Sequence, residues 1–318
     1  MKQLTVSKIL FPLCALLVLT PWVSSGIALF LGLVLALTLG NPYAAFISKY
    51  THKLLALSII GLGAGMNLEV VAKAGMHGIV YTALSIAFAI GAGLLLGRAL
   101  KTNRETSLLI TIGTAICGGS AIAAVSPTIR AEHHHVSIAL GTVFMLNAVA
   151  LILFPWIGHS LDLTQPQFGL WSALAIHDTS SVVGATLEYG PKSLEIGTTV
   201  KLARALWILP LTFLIGFLYH RYAKTDDGEK VQTKKPWFIL GFLLMSAAVT
   251  YIPGLETAGE TIEMIARRCM VLTLFCIGAG LTLEKVKAVG IKPFLQGVLL
   301  WILVGSVSLA AVYYHVIG

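Results

Sequence analysis

Gly63-Ala64-Gly65-Met66-Asn67-Leu68-Glu69 returns 215 residues later as Gly278-Ala279-Gly280-Leu281-Thr282-Leu283-Glu284. Val71 then matches Val286 and Gly75 matches Gly290, so seven of the thirteen positions from 63 to 75 are identical. Each copy closes one apolar run and precedes another. Upstream, Leu31-Gly32 resembles Leu240-Gly241 after a small gap. Self-similarity at this distance marks an internally duplicated fold. The repeat-related segments run over about 26–99 and 237–315.

The medium in which the repeat folds follows from composition. Of 318 residues, 57% are hydrophobic and 11% charged, and the mean hydropathy is +0.87. A soluble domain carries roughly 25% charged residues. Too little polar surface remains to cover a water-soluble globule, so lipid is the expected solvent. Backbone groups facing lipid must bond internally, which leaves helices or closed barrels. The apolar runs last about 15–25 residues, beyond the roughly 9–11 of a barrel strand. The sequence therefore predicts an all-α polytopic membrane protein in one transmembrane domain spanning 1–318.

Eleven apolar segments are expected, at about 9–22, 26–40, 50–68, 77–97, 106–127, 136–158, 168–188, 196–219, 237–252, 262–283 and 290–315. Lys2 and Lys8 ahead of a short apolar run could signal export, but no soluble domain follows, and a retained first helix is expected. Basic clusters at Lys49/Lys53, Arg98/Lys101/Arg104, Arg221–Lys235 and Lys285/Lys287/Lys292 define the cytoplasmic side. The loops His159–Phe168 and Pro253–Glu263 carry no Lys or Arg and belong outside. On this topology the two copies of the repeat face opposite ways, as in many transporters. Arg267 and Arg268 are the exception, expected to begin a helix on the outer side. The net charge of +8 follows the loops and does not suggest nucleic acid. Cys14, Cys117, Cys269 and Cys276 sit in or beside apolar segments, without the spacing of a disulfide framework or a zinc site.

Three polar interruptions could carry chemistry, within a polar-patched core of about 106–219. The first is Cys117-Gly118-Gly119-Ser120. Paired glycines break a helix, and a fresh helix start offers N–H groups and a positive dipole end to an anion. Close helix packing through small residues is the plainer reading. The second is His177-Asp178-Thr179-Ser180-Ser181. A carboxylate inside an apolar segment costs about 2.5–3.5 kcal/mol on insertion scales, so Asp178 is expected to face a cavity, a partner or its own helix start. His177 could titrate near neutral pH. The third is Lys201 with Arg204, three apart on one helix face. They could offset a bound oxyanion, or Arg204 could pair structurally with Asp178 or Glu188. A weaker likeness of 142–148 to 199–205 places Asn147 where Arg204 stands in the second stretch. Segments 106–127 and 168–188 are either re-entrant hairpins or broken spanning helices. Glu132-His133-His134-His135 is expected to be a loop. No Walker motif, HExxH or GxSxG setting for Ser120 and His177 is present, so the chain is not expected to be an enzyme.

Taken together, Ile116–Pro127 (ICGGSAIAAVSP), Ala175–Ala185 (AIHDTSSVVGA), Thr198–Pro210 (TTVKLARALWILP) and the GAGMNLE run at 63–69 resemble the YeiH family of bacterial membrane proteins labelled sulfate exporters. The resemblance covers nearly the whole chain. It implies kinship with the bile-acid, arsenite and riboflavin transporters, whose discontinuous helices cross at mid-membrane. It also implies an inner-membrane secondary carrier for sulfate or a related oxyanion, working by alternating access. On that reading Gly118, Gly119, Ser120, His177, Asp178, Thr179, Ser180, Ser181, Lys201 and Arg204 form the substrate site. No metal or cofactor is expected, and the coupling ion would be a proton or sodium. The expected partners are a small anionic solute and the lipid bilayer, with homodimerisation left open. An anion channel and an intramembrane enzyme are the competing readings.

Overall fold

The computed structural model describes residues 2–223, 237–280 and 290–317. Most of the basic stretch Arg221–Lys235, and the second copy of the repeated motif beyond Gly280, lie outside the described residues. The described residues are mostly helical, with no strand among them. In order the helices are α1 (Lys2–Val18), α2 (Ser25–Leu39), α3 (Ala44–Leu62), α4 (Leu68–Ala99), α5 (Arg104–Ala115), α6 (Gly119–Thr128), α7 (His133–Ser160), α8 (Gln165–Ala175), α9 (Thr179–Tyr189), α10 (Pro191–Leu206), α11 (Ile208–Ala223), α12 (Trp237–Tyr251), α13 (Glu256–Ala279) and α14 (Ile291–Tyr313). Among the described residues, four segments are long and apolar enough to cross a membrane: Tyr81–Ala99, His134–Ser160, Pro191–Leu218 and Ile291–Tyr313.

The repeat shows itself in reciprocal packing. α2 meets α13 where Gly32 lies against the Phe275 carbonyl and Gly278 against the Leu29 carbonyl; a Cβ at either glycine would collide with the facing backbone. α3 meets α12 in the same way. A Cβ at Gly63 would lie 2.5 Å from the Phe242 carbonyl oxygen, and one at Gly241 would lie 2.7 Å from the Ile60 side chain. Gly32 and Gly241 are the matched glycines upstream, and Ile60 and Phe275 are separated by the same 215 residues as the motif. The glycines of the motif thus hold helix crossings, as small residues do in apolar bundles.

Segments 106–127 and 168–188 are helical hairpins rather than spanning helices. Phe168 at the start of α8 stacks on Tyr189 at the end of α9, ring centroids 3.8 Å apart. Tyr189 donates its hydroxyl to the Leu163 carbonyl (2.6 Å), and the Lys192 N–H donates to Gln165 Oε1 (2.9 Å). α5 and α6 fold back likewise. The Glu132 N–H donates to Glu105 Oε2 (3.3 Å), and Thr106 Oγ1 bonds His135 Nδ1 (2.9 Å). Straight through, residues 105 and 132 would stand roughly 40 Å apart at 1.5 Å per residue. Each half-helix is about 15–18 Å long, near half a bilayer's hydrocarbon thickness.

Local chemistry explains the reversals. Gly118 turns at φ +63, a conformation glycine alone takes without strain. At the second tip Ile176 is extended, and Asp178 caps α9 by accepting the Ser181 N–H. Pro210 explains the break at Trp207 between α10 and α11: it has no N–H to donate, and its ring crowds the Leu206 carbonyl.

Two expectations fail here. His133–His135 form the first turn of α7 rather than a loop. Arg267 and Arg268 do not begin a helix, because α13 starts at Glu256, where carboxylates favour a helix start. Arg267 Nε bonds Glu263 at 2.8 Å, and Arg268 donates to the Thr20 carbonyl.

Candidate functional site

The two hairpin tips meet. A Cβ at Gly118 would stand 3.1 Å from Asp178 Cβ and 3.4 Å from the His177 carbonyl oxygen. Four helix ends therefore converge: the C-termini of α5 and α8, and the N-termini of α6 and α9. α10 lies against both halves of the second hairpin and carries Lys201 and Arg204, both fully buried, to the junction.

The last four carbonyls of a helix lack partners within it. In α5, Ile112 and Gly113 are served by the N–H groups of Ile116 and Gly118. The remaining two, Thr114 and Ala115, are served by Arg204. Its Nε donates to Ala115 at 2.8 Å, and Nη2 donates to Ala115 at 2.6 Å and Thr114 at 3.3 Å. The same guanidinium spans to α8, where Nη1 donates to Ala173 (3.1 Å) and Leu174. Lys201 Nζ donates to Ala173 (3.2 Å) and to Ile176. The two cations are C-terminal caps for both hairpins, a favourable placement against the negative dipole ends.

Neither cation pairs with a carboxylate. The ion pairs among the described residues are Lys192–Glu195 and Glu263–Arg267. Asp178 Oδ1 accepts the Ser181 N–H (2.9 Å) and Oδ2 the Ser180 hydroxyl (2.5 Å). Glu188 is exposed. The structural pair with Asp178 or Glu188, open from the sequence, is thus not formed.

All ten sequence-predicted site residues fall on the two tips or on α10 opposite them. Gly118, Gly119 and Ser120 begin α6, with Ser120 exposed; Thr179, Ser180 and Ser181 begin α9 and are buried. The α6 start differs from that of α9 in one respect: its N-cap, Gly118, has no side chain with which to cap it.

Asn147 belongs to the junction as well. Its Oδ1 accepts the His177 N–H at 3.1 Å, so α7 grips the second tip while α10 reaches over to the first. Asn147 Nδ2 and both ring nitrogens of His177 are buried without a hydrogen-bond partner among the described residues. A signal for this cross-grip exists in the chain. Ala115-Ile116 and Ser120 match Ala175-Ile176 and Ser180 at an offset of 60, and Asn147 matches Arg204 at 57. Gln296, which the sequence did not flag, clamps the first hairpin to α4 and α14 through Gly93, Ser107 and Thr111.

This arrangement defines an all-α membrane protein with two opposed helical hairpins whose tips are held by buried basic caps. The chain belongs to the UPF0324 membrane protein family. The family model described as Conserved hypothetical protein 698 matches residues 11–297. The UPF0324 membrane protein of Bdellovibrio bacteriovorus is 64% identical over 312 residues, 98% of this chain and 96% of that one. Its counterpart in Bacteroides thetaiotaomicron is 47% identical, covering 92% of this chain and 87% of its own. That of Geobacter sulfurreducens is 46% identical, covering 95% and 94%. No solved structure matches.

Proposed function

We propose that this protein is a multi-pass secondary carrier of the bacterial inner membrane that moves a small oxyanion, sulfate being the first to test, by alternating access. One observation carries the reading: the hairpin junction gathers two fully buried basic side chains and one carboxylate. Arg204 and Lys201 contribute two positive charges and Asp178 one negative. The two C-terminal and two N-terminal half-helix ends, worth about −0.5 and +0.5 each, cancel. With Lys201 protonated, a net charge of about +1 inside an apolar bundle is costly, and a bound anion relieves it.

The donors for that anion are the N–H groups of Gly119 and Ser120 at the start of α6, with the Ser120 hydroxyl beside them. Lys201 and Arg204 act through their field and by holding the tips, since their donors are turned to backbone carbonyls. The hairpins are re-entrant in this reading. The first opens toward the basic, cytoplasmic side and the second toward the outside, so each can gate one face.

The test is radiotracer uptake into proteoliposomes across a panel of oxyanions, with and without a pH gradient. Saturable uptake of one anion, at carrier rather than channel rates, supports the proposal. Large unitary currents would favour a channel, and turnover of a solute without its movement would favour an enzyme.

A further inference from the structure

An ion-coupled carrier needs a site for its driving ion. In many transporters with interrupted helices, sodium sits on the carbonyls freed at half-helix C-termini. Here those carbonyls are occupied. Thr114, Ala115, Ala173, Leu174 and Ile176 all accept from Arg204 or Lys201. The protein carries its own cations where sodium would bind.

The two cations are not equivalent. Arg204 makes five contacts with four carbonyls and stays charged at any working pH. Lys201 Nζ has two acceptors, Ala173 and Ile176. An ammonium has three hydrogens and a neutral amine has two. Lys201 can therefore lose its proton and keep both hydrogen bonds. Lys201 is fully buried and one helical turn from Arg204. The other titratable groups that face it are Asp178 and His177 on the second tip and Cys117 on the first. The remaining candidate carriers fit less well. Both oxygens of Asp178 are already engaged, accepting from the Ser181 N–H and the Ser180 hydroxyl. The His177 ring nitrogens are buried with no hydrogen-bond acceptor among the described residues to hold an added proton.

From this geometry we infer that Lys201 carries the driving proton, so that the carrier is a proton–anion symporter independent of sodium. This rests on the transport reading above. With Lys201 neutral, Arg204 and Asp178 cancel and the empty junction returns across the membrane uncharged. When the anion binds, Nζ takes a proton from the water on the open side, and the pair leaves together on the other. One proton accompanies each anion.

Two measurements test this separately. The first needs no solute. The full-length protein, labelled with 15N-lysine, is reconstituted in lipid and its Nζ resonances are followed by solid-state NMR from pH 5 to 9. Lys201 is assigned by the signal lost in Lys201→Arg and, independently, in Lys201→Gln. A neutral amine at pH 8 that becomes ammonium on acidification is expected. An ammonium throughout overturns the proposal. The second is uptake of whichever anion the oxyanion panel selects. With the membrane potential clamped at zero, one coupled proton gives about tenfold accumulation per pH unit, with acid on the side the anion leaves. Replacing sodium with choline should change nothing, and accumulation that follows sodium instead overturns the inference. If no anion moves while Lys201 titrates as expected, the transport reading fails and the chemistry of Lys201 stands.

Discussion

Arg204→Ala tests whether the guanidinium is a structural cap, because the carbonyl accounting makes its cost calculable. The change removes every donor serving Thr114, Ala115 and Leu174, while Ala173 keeps Lys201. Three buried carbonyls are left without partners. Each costs about 1–3 kcal/mol, and water entering the space left by the side chain pulls the total toward the lower end, roughly 3–5 kcal/mol. At about 2 °C per kcal/mol for a chain of this size, Tm should fall by on the order of 6–10 °C. Arg204→Lys keeps the charge but offers three donors, so roughly half that loss is expected. The decisive variant is Arg204→Ala with Asp178→Asn. If Arg204 were the partner of Asp178, neutralising the carboxylate would restore stability. The geometry predicts no rescue, since Asp178 bonds Ser180 and Ser181 and not Arg204. The assay is thermal unfolding of all four proteins in one detergent. A double mutant that melts like the wild type, or an Arg204→Ala protein within a degree of it, refutes the capping argument.

Further outcomes follow from the same junction. Gly118→Ala places a side chain at φ +63 and 3.1 Å from Asp178 Cβ. It should cost about 1–3 kcal/mol and abolish flux in a protein that still elutes as a single species. Asn147→Ala leaves the His177 N–H unpaired and should cost about 1–3 kcal/mol, whereas Asn147→Asp retains the acceptor and most of the stability in the same melting assay. Phe168→Ala removes the stack that closes the base of the second hairpin, with an expected loss of about 3–5 kcal/mol, measurable as faster proteolysis between Leu163 and Lys192. For sidedness, Asp162→Cys in a background without the native cysteines should react with an impermeant maleimide from outside and Lys230→Cys should not; the opposite pattern inverts the topology.

How far the sequence reveals this molecule depends on what each feature interacts with. The membrane class is legible because solvent choice acts on every surface residue at once. The 63–69 and 278–284 repeat is legible because its glycines hold helix crossings, where a Cβ would strike backbone. The hairpins are not legible from hydropathy, since a half-helix that turns back and one that continues have the same apolar faces. What separates them is contact between their distant ends, Phe168 on Tyr189 and Glu105 on Glu132. Burial of Arg204 is readable as a cost, but its partners are carbonyls, which every residue owns and no sequence pattern marks. The nearness of the two polar segments resolves once both offsets are placed on the fold. If α2, α3, α4, the first hairpin and α7 make one repeat, then the second hairpin, α10 with α11, α12, α13 and α14 make the other, in permuted order. The offset of 215 relates α3 and α4 to α13 and α14, and 209 relates α2 to α12, while offsets of 60 and 57 relate the hairpins and the helices that follow them. Permutation puts the two hairpins next to one another in sequence with α7 between them. It also places Asn147 and Arg204, matched at 57, so that each reaches the opposite hairpin: α7 gives the second tip its acceptor, and Arg204 on α10 caps the first tip as well as the second. Under the alternating access proposed above, contacts from α7 and α10 onto both tips would couple the hairpins, since moving one loosens contacts made to the other.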